Sequence, residues 1–190
     1  MYGLKKPFLV GHQEFAALYG VEAQMVGQWL APGRRVLDPA TAIVVSGVRY
    51  WPLGFACRFG KTTSRPKLLN VRYKERLIKE QGEGWEADLG DELPPIVGQH
   101  EIIELFHLSS QGTLATRIAQ GSFPHEDWLL SGSRLWLLDT VIEAVPELRA
   151  SARSVPWEVD ATVEAALRAG TYDGPGSVVL TRGRHARKGV

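Results

Sequence analysis

The chain has 190 residues, 44% of them apolar, and one cysteine, Cys57. That is enough chain for one large domain or two small ones, an internal disulfide is excluded, and no apolar run approaches the ~18 residues of a membrane span. The formal net charge of +1 hides an asymmetry: residues 1–80 hold 13 Lys/Arg against 5 Asp/Glu, residues 81–180 hold 5 against 16, and residues 181–190 hold four cations and no acid. A polyanion is drawn to the first stretch and the tail and repelled by the middle. Met1 to Pro7 is short and basic and no secretory apolar core follows it, so the expected location is the cytoplasm.

In chain order, His12 to Leu18 has the spacing of a short helix with Phe15 and Leu18 on one face. Tyr19-Gly20-Val21 reads as a tight turn. Glu22 to Ala31 reads as a second helix, with Met25, Val26, Trp29 and Leu30 at helical spacing and Pro32-Gly33 as its stop. Ala42 to Val45 and Val48 to Trp51 flank Ser46-Gly47, a hairpin signal. A third helix is expected from Pro52 to Phe59. Residues 60–80 are the most basic segment, with a possible helix from Leu68 to Ile78. Residues 82–95 are acidic, rich in Gly and Pro, and read as a loop.

The same order then recurs. LVGHQEFAALY at 9–19 faces IVGQHEIIELF at 96–106, Gly33 faces Gly121, and SGVRYW at 46–51 faces SGSRLW at 131–136, at offsets of 87, 88 and 85 residues. Three landmarks in one order indicate a duplication. In the second copy Glu101 to Phe106 is helical, His107-Leu108 is the turn, and Ser109 or Ser110 caps a helix to Ala119. Trp128–Leu130 and Arg134–Trp136 flank Ser131-Gly132, and Asp139 caps a helix ended by Pro146. Beyond it lie a helix from Asp160 to Ala169, a Gly-Pro-Gly break at 174–176, a short strand from Ser177 to Thr181 and a basic tail. Two short helices joined by a tight turn and followed by a hairpin have the order of a winged helix-turn-helix. The expected fold class is therefore mainly α with small β-hairpin wings, in two tandem winged helix-turn-helix units. They occupy 1–60 and 96–146, with a basic then acidic linker at 61–95 and a C-terminal segment at 147–190.

The pattern Val10-Gly11-x-x-Glu14 through Gly20-Val21, then Trp29 to Gly33, Pro39, and Ser46-Gly47 to Trp51 resembles the MerR-like winged helices of excisionases and small AlpA-type regulators. Val97 to Leu108, Ile118 to Gly121, Phe123-Pro124 and Ser131 to Trp136 repeat it, so the resemblance covers about half the chain. It implies sequence-specific binding to double-stranded DNA by a regulator of a phage, plasmid or other mobile element. Two unlike readers in one monomer suit an asymmetric site, as in an actinophage immunity repressor. The pattern departs from the family at Glu22, where a Ser or Thr cap is usual. It departs again at Gly112, which weakens its helix, and in the −4 balance of residues 96–145.

In such a fold the second helix enters the major groove and its exposed side chains read base edges. The candidates are Gln24 and Gln28 in the first copy, four apart on one face, and Ser110, Gln111, Thr113, Thr116 and Arg117 in the second. Arg34, Arg35 and Arg49, with Arg134 as the counterpart of Arg49, suit a phosphate or a narrow minor groove. Equally, Arg49 and Arg134 stand near a recurring Trp and suit a stacking pair. Lys61, Arg65 and Lys67 suit the DNA backbone.

Gly60-Lys61-Thr62 lacks the earlier glycine and strand of a phosphate-binding loop. Five scattered histidines and one cysteine make no metal spacing, and no nucleophile elbow is present. The expectation is thus no catalysis, no cofactor and no metal, with DNA as partner, no membrane, and a monomer or weak dimer. The alternatives are an excisionase-like or plasmid-maintenance factor that bends DNA, and a protein-interaction module using the acidic second half.

Overall fold

A computed structural model describes residues 5–34, 36–151 and 155–179. The described residues are mainly helical, with three small sheets. The first repeat runs β2 (Leu9–Val10), α1 (His12–Leu18), α2 (Ala23–Leu30), β3 (Ile43–Val45), β4 (Val48–Pro52) and α3 (Leu53–Thr62). The second runs β6 (Ile96–Val97), α5 (Gln99–Leu105), α6 (Gln111–Ala119), β7 (Trp128–Leu130), β8 (Ser133–Leu137) and α7 (Leu138–Glu143). Each forms a three-stranded antiparallel sheet with the hairpin's second strand in the centre, β2-β4-β3 and β6-β8-β7.

Local chemistry accounts for these elements. Gly20 takes φ +61 between α1 and α2, where a side chain would be strained. Ser46-Gly47 and Ser131-Gly132 have positive φ at both positions, 49 and 78, then 48 and 79. That is the primed turn that matches the twist of a two-residue hairpin. Phe15, Tyr19, Trp29, Trp51 and Phe59 pack edge to face as an aromatic centre for the first repeat. In the second, Phe106 packs edge to face on Trp157 and Phe123 on Trp136, with Phe123 tilted against Trp157. Trp51 and Trp136 are fully buried, and their indole N–H groups donate to Thr41 Oγ1 and to the Pro124 carbonyl.

The stretch read as a linker belongs structurally to the first repeat. Helix α4 (Val71–Gln81), capped by Asn70, packs on α1 and buries Leu77. The Gln81 amide accepts from Leu9 N at 3.0 Å and donates to Leu9 O at 2.7 Å, acting as one more strand residue beside β2. Within the expected loop, β5 (Gly84–Trp85) pairs parallel with β1 (Lys6–Pro7).

Three expectations fail at the C-terminal side. Asp139 does not cap α7, whose N-cap is Leu137; it lies inside the first turn. Pro146 does not end α7; it lies in the first turn of α8 (Val145–Ser151), where its missing N–H costs no hydrogen bond. Ser177 to Val179 form no strand, and the rest of that expected strand, like the basic tail, lies outside the described residues. Helix α9 (Ala161–Ala169) matches the helix expected from Asp160 to Ala169, with Asp160 as its N-cap, and Gly170 closes it at φ +67. No helix among the described residues is long and apolar enough to cross a membrane.

The repeats meet through the faces of their sheets opposite the helices. Leu9, Val45 and Tyr50 from one pack on Ile96, Leu130 and Leu135 from the other, and these are equivalent positions. At the rim of this contact each Ser-Gly turn reaches the first helix of the other repeat. Ser131 N donates to Glu14 Oε1 at 2.8 Å, and Ser131 Oγ donates to Glu14 Oε2 at 2.6 Å and accepts from Gln13 N at 3.0 Å. Ser46 repeats this on Glu101 at 2.7 and 2.5 Å and on His100 N at 3.0 Å. Both helices begin at a glycine, Gly11 or Gly98, so the serine of the opposite repeat supplies the missing N-cap oxygen.

Candidate nucleic-acid interface

Helix α2 buries Val26 and Trp29 against the aromatic centre, which leaves Gln24, Gly27 and Gln28 exposed on its outer face. Its C-terminal end is where the basic residues gather. After Ala31 the chain turns back, and Val36 N and Leu37 N both donate to Trp29 O at 3.0 Å. This places Arg34 beside Gln28, with Arg34 Nη1 donating to Gln28 Oε1 at 3.3 Å. Arg35 lies outside the described residues.

The segment after α3 comes to the same end of α2. The Tyr19 hydroxyl accepts from Gly60 N at 2.8 Å and donates to Ala56 O at 2.6 Å, which locks the end of α3 onto α1. Lys67 N donates to Gly60 O at 3.0 Å, and Asn70 N donates to Leu18 O at 2.8 Å. Lys67 Nζ then stands 5.4 Å from the Trp29 ring centroid, a cation–π position. Lys61 and Arg65, in the segment that leads to Lys67, are exposed. Arg34 and Lys67 are thus both placed at the C-terminal end of α2. Gly60 itself is packed out: a Cβ there would meet Tyr19 at 2.5 Å and Lys67 O at 2.7 Å. Gly60-Lys61-Thr62 is the last turn of α3.

Arg49 is placed elsewhere. It is half-buried on β4 opposite Val44, on the Trp51 side of the sheet, near His12. His12 packs edge-on against Trp51 at 5.3 Å. Burial first, and then the charge of Arg49, hold the His12 imidazole below its ordinary pKa against the opposing pull of Glu14. The hairpin tips are occupied. Ser46 and Ser131 are bound to the opposite repeat, and Gly47 N also donates to Gly176 O at 2.7 Å.

In the second repeat the equivalent helix is differently furnished. Ser110 is the N-cap of α6 and accepts from Thr113 N at 3.4 Å, whereas Glu22 at the same place in the first repeat makes no side-chain cap. Gln111 Nε2 lies 2.8 Å from His100 Nε2. Gln111 and Thr116 are exposed, while Thr113 and Arg117 are half-buried. Arg134 on β8 pairs with Glu126 at 3.5 Å. The second face thus presents hydroxyls and an amide.

The charge asymmetry is partly consumed inside the fold. Arg58 pairs with Asp88, and Lys74 with Glu86 at 2.6 Å, so the acidic segment at 82–95 neutralises cations of the first repeat. Lys6 contacts the Asp127 carbonyl and lies over the Trp128 ring, and burial lowers its pKa. Among the described residues no group of three or more His, Cys, Asp or Glu is placed to hold a metal ion. Sequence reasoning missed the Glu14–Ser131 and Glu101–Ser46 contacts. Their signal was present: a glycine at the N-cap, a glutamate three residues on, and a serine in each turn, all recurring together.

No family model, curated protein or solved structure matches the chain.

Proposed function

We propose that the chain is a sequence-specific double-stranded DNA-binding regulator, with each repeat a winged helix-turn-helix, and that it acts as a repressor in a phage or other mobile element. The carrying observation is that Gln24 and Gln28 are exposed on α2 while Arg34 bonds Gln28 and Lys67 lies over Trp29 at its end, with Lys61 and Arg65 exposed in the segment that leads to Lys67. Glutamine amides pair bidentately with adenine in the major groove, and cations beside a reading helix take phosphates and release counterions. Because the hairpin tips are held by the opposite repeat, the backbone contacts fall to this basic rim instead of a free wing. The reading helices of the two repeats differ, so the site is asymmetric in sequence.

Fluorescence anisotropy on duplex DNA across a salt series tests this. Replacing Lys61, Arg65 and Lys67 together by Ala is expected to weaken binding to every sequence and to flatten the log K against log salt slope by about 0.9 for each lost phosphate contact. An unchanged slope in the triple variant contradicts the assignment.

A further inference from the structure

A tandem duplication in sequence suggests two readers pointing the same way along DNA, like beads on a string. The contacts between the repeats say otherwise. In a head-to-tail arrangement, the turn of one copy touches the first helix of the next, and the reverse contact is absent. Here both occur. Ser131 caps α1 through Glu14 and Gln13 N, and Ser46 caps α5 through Glu101 and His100 N, with matching distances within 0.1 Å. The same atoms in the same roles, exchanged in both directions, are the signature of a two-fold axis. The apolar contact agrees, since Leu9 and Ile96, Val45 and Leu130, and Tyr50 and Leu135 are equivalent pairs in one cluster.

Resting on the DNA reading above, we infer that the two repeats address one duplex as dyad-related half-sites, with α2 and α6 running in opposite directions along it. A two-fold axis reverses the component of a helix direction perpendicular to itself. The DNA backbone has two-fold axes perpendicular to its own length, so a two-fold protein meets equivalent phosphates at both repeats. The bases read need not match, because Gln24 and Gln28 face one half and Gln111 and Thr116 the other. The site is a geometric inverted repeat with an asymmetric sequence. The six hydrogen bonds between the turns and the helices, with the apolar layer between them, fix the spacing of the half-sites.

The test uses the full chain on a duplex recovered by selection from a random pool. A cleaving iron chelate is tethered through single cysteines in a Cys57→Ala background: Glu22→Cys and Gly33→Cys flank α2, and Ser109→Cys and Gln120→Cys flank α6. All four positions are exposed and none is a proposed contact; a Cβ on Gly33 meets nothing within 4 Å. The expected cut positions are mirrored: those from 22 and 109 lie both inside, or both outside, those from 33 and 120. Cuts ordered 22, 33, 109, 120 in one direction along the duplex overturn the inference, as do cuts from only one repeat. Recovery of no preferred duplex is a different failure, which sinks the DNA reading and this inference with it.

Discussion

The Ser131 hydroxyl occupies the space that a side chain on Gly11 would need: a Cβ built on Gly11 lies 2.4 Å from Ser131 Oγ. Gly98 and Ser46 stand in the same relation, again at 2.4 Å. Two helix caps are each split between residues more than fifty positions apart in sequence. This binds the repeats into one folding unit.

Gly11→Ser moves the cap oxygen back into its own helix and collides with Ser131. The expected cost is about 1–3 kcal/mol of unfolding free energy. Adding Ser131→Gly clears the collision and places glycine at φ +48, a conformation it adopts freely. The double variant is therefore expected to be more stable than Gly11→Ser alone. Urea denaturation of the four members of the cycle measures this, and simple additivity of the two changes would contradict it.

Glu14 and Glu101 each accept from a serine N–H, a serine hydroxyl and a glycine N–H. Glu101 is 2% exposed, whereas Glu14 is half-buried. Glu101→Ala strands three donors away from water, at an expected cost of about 2–4 kcal/mol, and Glu14→Ala costs roughly half as much because water reaches its donors. Equal losses on denaturation would show that burial does not set the difference.

His12 predicts a pH dependence. The unfolded chain takes up a proton near the ordinary value of 6.5, and the folded chain only at lower pH. The unfolded state therefore binds more protons in that window, so this contribution is intact above pH 6.5 and is lost as pH falls toward the folded value. His12→Phe keeps the edge-on contact with Trp51 and is expected to flatten the stability profile below pH 6.5. The Asp160 carboxylate, held below its ordinary value of 3.8 by the Val163 and Thr162 N–H groups, acts in a separate and more acidic window. A profile equally steep in wild type and His12→Phe between pH 5 and 6.5 would contradict the assignment.

Cys57 is half-buried, and desolvation pushes its thiol up to about 11. At pH 8 the thiolate fraction is then roughly a hundredth of that of a thiol at the ordinary value, with alkylation slowed on the order of 100-fold. Iodoacetamide labelling of the native chain against the unfolded chain measures the ratio; comparable rates would contradict it.

Much of the fold was legible because local rules wrote it. His12–Leu18 was read with the observed bounds, the hairpins turn at the expected Ser-Gly pairs, and Asp160 caps the expected helix. Illegible were the features built from distant partners. Strands β2 and β6 have two residues each and no periodicity to detect. Gln81 reads as a polar helix end, yet its amide completes a sheet edge. Pro146 carries the same signal whether it ends one helix or begins the next. At the candidate site, the exposure of Gln24 and Gln28 followed from helical spacing, but the folding of Lys67 back over Trp29 did not. That contact depends on Tyr19 and Gly60 meeting across the core.

Selection of bound duplexes from a random pool at about 0.15 M salt, with the wild-type chain and with Gln28→Ala, tests the DNA reading most directly. A first repeat that reads bases through α2 predicts a recovered two-part motif. One half of it should lose its preference in Gln28→Ala, while non-specific affinity stays nearly intact. Recovery of no motif, with retention that does not respond to salt, would contradict it.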